Sequence, residues 1–360
     1  MMNQLVSVDD KLNGKVYNYT YDAGGNLISE TVTDSNGTTS NAYEYNNSNW
    51  GDVLTSYNGQ NITYDEIGNP LTYRDGMSMT WKNGRQLATL TNGDTSISYG
   101  YDSDSVRTTK TVNGVKYTYA YLNGQLLYET RGDAKFYYSY DANGILYNVR
   151  YTLTDGGTEY SYYYTHNSRG DIVGIYNGAG ELKAHYEYDA WGNVISITDN
   201  NGNAITKPNH IGNLNPFRYR GYYQDTETGL YYLMSRYYDA VTHRFINADG
   251  YFQSGTSILD ANTFAYCGNN PVLNVDPLGT CKVPNYTSAG TYIGHTWKIK
   301  ESVPGVPGFC NVCKGYGSNA PSNTSHSFVI SSYTTPSTKK QDYNTWNKVA
   351  DSFGAIFCSL

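Results

Sequence analysis

Several features that mark common classes of protein are scarce in this sequence. Charged residues make up only 16% of its 360 positions, and the net charge of −7 includes no basic block. This argues against a nucleic-acid grip along the whole chain, although a small RNA-cleaving site needs few cations. The first residues lack the pattern of a signal peptide, and no stretch approaches the roughly 18 apolar residues of a membrane span. Helix-favouring runs are rare before the last twenty positions, so the sequence predicts a mainly β fold.

Cysteine is also rare and is placed unevenly. Cys267 stands alone in the first 279 residues, and four more follow at Cys281, Cys310, Cys313 and Cys358. This step in composition predicts a domain boundary near residue 280. The Cys310-x-x-Cys313 spacing leaves two interpretations open, since it is half of a zinc site, and the four late cysteines also suit two disulfides in an exported domain.

Tyrosine and glycine are abundant instead, with 40 Tyr and 37 Gly against 9 Phe and 5 Trp. Between the turns, side chains alternate with period two, as in Tyr17, Tyr19 and Tyr21, which places one set on one face of a sheet. Asn-Gly dipeptides favour type I′ hairpin turns, because both central residues of such a turn need a positive φ. Ten of them occur, at Asn13, Asn36, Asn58, Asn83, Asn92, Asn113, Asn123, Asn143, Asn177 and Asn201.

A second element recurs as Tyr-Asp-x-x-Gly-Asn. It stands at residues 21–26, 64–69 and 188–193, with degenerate copies at 101–102 and 140–144. We expect Tyr to end a strand, Asp to cap the turn by bonding to the backbone, and Gly-Asn to take left-handed positions. A repeat of this kind predicts an array of units that stack to share a core. The tyrosines are accordingly interpreted as architectural and not catalytic.

These units resemble the YD repeats of RHS proteins, of the C components of insecticidal Tc toxins and of teneurins. The resemblance implies a shell of spiralling antiparallel β-hairpins with a Tyr-lined interior. We expect this shell to occupy residues 1–210. Because the repeats begin almost at residue 1, we also expect the chain to be the C-terminal portion of a longer protein.

The stretch from Asn215 to Gly279 resembles the RHS repeat-associated core domain through a long ordered series of motifs. The resemblance implies a core that plugs the end of the shell, and we assign it to residues 211–279. The motifs occupy residues 217–223, 228–232, 236–239, 244–250, 262–271 and 276–279.

In the family that these motifs resemble, two aspartates cleave the chain just after an Asp-Pro-x-Gly-Leu segment. The resemblance places the second aspartate on Asp276 and the first on Asp249, with Arg244 to orient or charge-balance the pair. It implies self-cleavage near Gly279 and Thr280. The chemistry is sound, because two close carboxylates do not both ionise, so that one serves as acid while the other activates water.

The sequence departs from that pattern in three ways. The first motif reads Ala-Asp-Gly-Tyr where self-cleaving members have Asp-Pro-x-Gly, an insert at residues 252–260 follows it, and Thr280 replaces the Leu. The alternative interpretation is that Asp249 and Asp276 are turn formers that end the plug.

Residues 280–360 do not continue the repeat, and their pattern predicts a small α+β domain. Residues 294–300 and 325–331 are strand-like and are surrounded by turn-rich segments, and residues 342–357 have the apolar spacing of a helix. The domain follows the core, which is where RHS proteins carry interchangeable effectors.

The chemistry of this last domain is weakly encoded. His295 and His326 with Lys298 could supply an acid–base pair and a phosphate-binding cation, as metal-independent ribonucleases use. The alternative is that both histidines are strand-surface positions. No His-x-Glu precedes Cys310, which argues against a zinc deaminase. A zinc site of Cys310 and Cys313, completed by Cys281 and Cys358 or by a histidine, is an open alternative.

The function expected from these observations is that of an exported toxin, with a β-shell that encapsulates or presents a C-terminal effector. Such a toxin would be secreted or cell-surface associated, would take part in interbacterial competition, and would have a cognate immunity protein and a target macromolecule such as RNA. The alternative is a cell-surface protein that binds carbohydrate or acts as a scaffold without enzymatic activity.

Overall fold

The computed structural model describes residues 3–250 and 261–280, together with the backbone of residues 283–284. These residues form antiparallel β-structure almost throughout, which confirms the predicted fold class, while the α+β domain predicted after residue 280 lies outside the described residues. A four-residue helix α1 (Ile211–Leu214) follows the twentieth strand.

In chain order the strands are β1 (Ser7–Asp10), β2 (Lys15–Tyr21), β3 (Leu27–Asp34), β4 (Gly37–Glu44), β5 (Ser56–Tyr57), β6 (Gln60–Asn61), β7 (Thr63–Tyr64), β8 (Pro70–Thr72), β9 (Ser78–Lys82), β10 (Gln86–Asn92), β11 (Thr95–Tyr101), β12 (Arg107–Val112), β13 (Val115–Leu122), β14 (Gln125–Arg131), β15 (Ala134–Tyr140), β16 (Leu146–Thr152), β17 (Tyr160–His166), β18 (Ile172–Asn177), β19 (Leu182–Tyr188), β20 (Val194–Thr198), β21 (Tyr223–Gln224), β22 (Tyr231–Tyr232), β23 (Tyr237–Asp239), β24 (Arg244–Phe245), β25 (Asn274–Val275) and β26 (Val283–Pro284).

Each strand pairs with its neighbour in sequence. Strands β1 to β6 form one sheet and β7 to β20 form another, and we call these twenty strands, with the turns between them, the wall. Strands β21 to β24 and the pair β25–β26 form two small sheets, and we call described residues 211–250 and 261–280 the plug segment. Tyr17 and Tyr19 on β2 are buried while Asn18 between them is exposed, as the predicted alternation requires.

The Asn-Gly prediction is confirmed in part. Both residues of the dipeptide have a positive φ, as a type I′ turn requires, at four of the predicted positions. At Asn143 and Asn201 the dipeptide instead fills the third and fourth positions of an Asp-x-x-Gly turn, and only the Gly has a positive φ. The four type I′ turns begin at Asn58, Asn83, Asn113 and Asn123.

The Tyr-Asp turns also follow the prediction, with one correction. Asp65 Oδ1 accepts the backbone N–H of Asn69 at 2.8 Å, so the aspartate closes the turn through the backbone as expected. Gly68 has a φ of +82°, but Asn69 is not left-handed. The Asn69 side chain instead forms hydrogen bonds. Its Nδ2 donates to Asp65 Oδ2 at 2.7 Å and to the carbonyl of Gly84 in the next hairpin at 2.8 Å. The Asn therefore ties neighbouring turns together.

The plug segment packs against the wall. Trp191, from the turn between β19 and β20, is fully buried and stacks on His243 of the plug at 4.6 Å between ring centroids. Tyr19 of β2 meets the same Trp191 edge-on at 5.8 Å. The first and last hairpins of the wall are thereby brought together around the plug.

Buried charges join wall and plug. Asp225 of the plug accepts from Arg107 Nη1 at 2.7 Å and from Lys110 Nζ at 3.0 Å, and both of these cations stand on β12. Burial raises the pKa of Asp225, but the charges of Arg107 and Lys110 outweigh this effect and hold that pKa below its usual value. Arg74 of the wall pairs with Asp239 of the plug in the same way, at 2.7 Å. Aromatic rings surround the Arg107 guanidinium at 4.3 to 5.8 Å, namely Tyr99, Tyr119, Tyr223, Tyr232 and Tyr237.

Candidate functional site

Asp249 lies beyond β24, against two hairpin turns of the wall. The N–H of Ala248 donates to the Gly68 carbonyl at 3.1 Å, and Arg85 Nη1 donates to the Ala248 carbonyl at 2.7 Å. The N–H of Asp249 donates to the Thr263 carbonyl at 2.9 Å. Backbone contacts on both sides thus fix the position of this carboxylate.

Asp276 follows β25, and Arg236 joins it to Asp249. Arg236 Nη2 lies 3.1 Å from Asp249 Oδ2 and 3.6 Å from Asp276 Oδ2. All three side chains are largely buried, with exposures of 6% for Arg236, 10% for Asp249 and 3% for Asp276. Burial lowers the pKa of Arg236, and the two carboxylates oppose this shift. The structure thus brings the two predicted aspartates to one guanidinium.

The backbone after Asp276 turns back onto the same groups. Asp276 Oδ1 accepts the N–H of Thr280 at 3.1 Å, and Arg236 Nε donates to the Gly279 carbonyl. One peptide unit therefore has its N–H on a carboxylate and its carbonyl on a guanidinium. A cation on the carbonyl oxygen polarises the carbonyl group, and a second carboxylate nearby can activate water, so the arrangement suits peptide hydrolysis.

Arg244 lies elsewhere than the sequence predicts. Arg244 and Phe245 are consecutive in β24, so their side chains point to opposite faces. The Arg236 guanidinium carbon lies 3.6 Å from the centroid of the Phe245 ring. Arg244 instead donates to Tyr45 Oη at 2.6 Å. The cation beside the aspartates is Arg236, and Arg244 holds the plug to the wall.

The residues predicted to act in the effector, His295, Lys298 and His326, lie outside the described residues, as do Cys310 and Cys313. Within residues 3–250 and 261–280, no cluster of His, Cys, Asp and Glu is suited to hold a metal ion. In the same part of the chain, no helix is long and apolar enough to cross a membrane.

Comparison with known proteins identifies the family. The RHS Repeat family model matches residues 3–39 and 166–204. The chain is 39% identical over 287 residues to the tRNA3(Ser)-specific nuclease WapA of Bacillus spizizenii, a match that covers 77% of this chain and 11% of that protein. The chain belongs to the RHS-repeat family.

This RHS-repeat chain is also similar to a second toxin sequence and to a solved structure. It is 26% identical over 339 residues to the double-stranded DNA deaminase toxin A of Burkholderia cenocepacia, covering 85% of this chain and 21% of that one. The crystal structure of TcdB2-TccC3 without its hypervariable C-terminal region superposes with a TM-score of 0.59 at 20% identity, over 74% of this chain and 13% of that one, and shows the shared fold. The chain spans only about a tenth to a fifth of these relatives' length.

Sequence reasoning on this RHS-repeat chain missed the role of Arg236. The residue was visible in the Arg-Tyr-Tyr-Asp motif at residues 236–239, but nothing in the spacing links it to Asp249 or Asp276. The useful signal was indirect, because a buried arginine inside a motif of aromatic residues needs a carboxylate partner. Two aspartates were available for that role.

Proposed function

We propose that this chain is part of a toxin, in which the wall encapsulates or presents the effector region that follows it, and the plug segment cuts the polypeptide next to Thr280 and separates the two. One observation carries the proposal. The carboxylates of Asp249 and Asp276 share the guanidinium of Arg236, while Asp276 also accepts the N–H of Thr280. Turn formation alone does not require the two aspartates to share a buried cation.

The proposed reaction is hydrolysis. One carboxylate takes a proton from water as the water oxygen attacks the carbonyl carbon of the scissile peptide bond. The other carboxyl group gives its proton to the departing nitrogen, the carbon–nitrogen bond breaks, and a carboxylate and an amine result. Arg236 stabilises the two carboxylates and draws electron density from the Gly279 carbonyl.

The test is the intact mass of the purified full chain. Wild type is expected to yield a fragment ending at residue 279 or 280, and Asp276→Asn and Asp249→Asn are expected to stay whole at 40.1 kDa. Asp104→Asn, which changes an exposed wall carboxylate, is the matched control and should cleave like wild type. A wild-type chain that stays whole after prolonged incubation would rule out the proposal.

The region after the cut is proposed to be the toxic effector, with RNA as its target. The support is that a relative at 39% identity is named as a tRNA-specific nuclease and that His295, His326 and Lys298 are residues suited to metal-free RNA cleavage. In this proposal the two histidines exchange protons with the ribose and the leaving oxygen, and the lysine binds phosphate.

Induced expression of the full chain in bacteria tests this part. Growth arrest with RNA fragmentation is expected, and His295→Ala, His326→Ala or Lys298→Ala should relieve both effects. His185→Ala, a change in β19 of the wall, is the control and should leave the arrest intact. Normal growth with intact RNA would exclude an RNA-cleaving toxin.

A toxin of this type is proposed to act outside the producing cell, as a secreted or surface-associated protein, and to be paired with a cognate immunity protein. Co-expression of the protein encoded next to it is expected to restore growth to cells that make the full chain. Failure of every neighbouring gene to protect would contradict the immunity partner but not the cleavage.

A further inference from the structure

Ser235 stands beside the candidate cleavage site, in the tight turn between β22 and β23. The turn is held by the N–H of Leu233, which donates to the Arg236 carbonyl at 2.9 Å, and Met234 takes a φ of +62°. This geometry presents the Ser235 hydroxyl and the Arg236 side chain to the same stretch of backbone. Neither the family likeness nor the aspartate motif assigns a role to Ser235.

Ser235 hydrogen-bonds to the backbone of the two residues that precede Thr280. Its hydroxyl lies 2.6 Å from the Leu278 carbonyl oxygen and 2.9 Å from the Gly279 carbonyl oxygen, and its N–H donates to the Leu278 carbonyl at 3.3 Å. A hydroxyl has one proton, so it donates to one of these carbonyls at a time or shares the proton between them. Arg236 Nε supplies a second donor to Gly279.

The fit around Gly279 is tight. Gly279 has a φ of +69°, and a Cβ at this position would lie 2.9 Å from the Leu233 carbonyl oxygen and 2.9 Å from Ser235 Oγ. The turn that carries Ser235 is therefore in direct contact with the Gly279 backbone.

We propose that Ser235 is a positioning residue for the cleavage, which holds the Leu278 and Gly279 carbonyls so that the peptide next to Thr280 stays in register with Asp249 and Asp276. The inference rests on the proposed self-cleavage. Asp276 holds the N–H of Thr280 from one side, and Ser235 with Arg236 holds the carbonyls from the other. Loss of the Ser235 hydrogen bonds allows the peptide to move away from the carboxylates. A displacement of about 1 Å can lower the rate about a hundredfold.

The test follows cleavage over time in a cell-free translation of the full chain. Ser235→Ala is expected to cleave about ten- to a hundredfold more slowly than wild type. Ser235→Thr keeps the hydroxyl and should restore most of the rate, which a merely structural role at this exposed position would not require. Ser98→Ala, an exposed serine on β11, is the control and should match wild type.

The outcomes separate the two claims. If wild type cleaves, Asp276→Asn does not, and Ser235→Ala keeps the wild-type rate, the positioning role is wrong and self-cleavage stands. Equal slowing in Ser235→Ala and Ser235→Thr also overturns the role, because the hydroxyl would then not be the group that matters. If wild type never cleaves, both claims fall together.

Discussion

The wall and the plug segment are built by different rules. Wall strands such as β13 (Val115–Leu122) and β16 (Leu146–Thr152) run seven or eight residues and pair with the strands next to them in sequence. Plug strands such as β21 and β22 have two residues each and contribute few ladder hydrogen bonds. The plug is held by side chains that reach the wall, as Asp225 reaches Arg107. The wall thus depends on local turns and the plug on distant partners.

The largest effect is expected where a charge crosses from plug to wall. Asp225→Ala leaves Arg107 buried without its carboxylate and leaves Lys110 with Glu227 alone, and loss of one partner of a buried pair costs about 3–5 kcal/mol. The control is Asp155→Ala, which removes the carboxylate from the exposed pair with Lys135 at 2.6 Å and should leave the urea midpoint unchanged.

Both variants are measured by urea unfolding in the Asp276→Asn chain, so that the polypeptide stays in one piece under the proposed function. Equal midpoints for Asp225→Ala and Asp155→Ala would show that the buried pair does not hold plug to wall, and would remove the basis of the comparison.

Alanine substitutions at two glycines in wall turns distinguish the stability lost through a clash with the plug from the stability lost through backbone strain alone. Gly192 has a φ of +91°, and a Cβ there would lie 2.4 Å from the Tyr219 ring of the plug, whereas Gly114 has a φ of +86° and open space around it. Gly114→Ala is expected to cost about 1 kcal/mol, the strain of a left-handed alanine. Gly192→Ala adds overpacking of about 1–3 kcal/mol. Similar unfolding midpoints for the two variants would contradict the tight fit of plug to wall.

The contrast between local turns in the wall and distant partners in the plug also determines which features of the fold can be predicted from the sequence. The wall follows from short-range signals, since Asn113-Gly114 and Asp65 to Asn69 make their turns with their own backbone and side chains. The pairing of Asp225 with Arg107 joins residues 118 positions apart, and no spacing in the sequence encodes it.

The candidate site divides in the same way. Asp249 and Asp276 are found from a motif, whereas Arg236 meets them only because three separate turns of the plug converge. The predicted role of Arg244, to orient or charge-balance the aspartates, fails because the alternation along β24 directs its side chain to the opposite face.

A smaller effect is expected in the local turns of the wall. Asp141 Oδ1 accepts the N–H groups of Asn143 and Ile145, both at 2.8 Å, so Asp141→Ala should cost about 1 kcal/mol as these bonds are lost to water. Asp141→Asn keeps the side-chain oxygen and is the matched control. Urea unfolding measures both, and an alanine variant as stable as the asparagine variant would show that the cap does not stabilise the turn.

The finest distinction lies in two aspartates that close the same kind of turn. Burial raises the pKa of Asp189 to about 7, whereas the N–H groups of Asn203 and Asn201 hold the pKa of Asp199 below its usual 3.8. The folded state therefore loses stability at Asp189 as pH rises from about 4 to about 7, because the unfolded chain ionises first. At Asp199 the stabilisation is present above pH 3.8 and is lost as pH falls through the lower folded value.

Asparagine substitutions reveal these opposite signs in urea unfolding, measured at about pH 4 and about pH 7 for Asp189 and at about pH 2 and about pH 5 for Asp199. Asp189→Asn should gain stability relative to the parent chain as pH rises, and Asp199→Asn should lose it. Parallel behaviour of the two variants would show that Asp189 is not closed off from water by the plug.

The central claim, that the plug segment cuts the chain next to Thr280, is tested most directly by mapping the new N-terminus in purified full-length protein. The account predicts a fragment beginning at residue 280 or 281 in wild type and its absence in both Asp249→Asn and Asp276→Asn. An uncut wild-type chain, or a cut that persists when either carboxylate is removed, would contradict it.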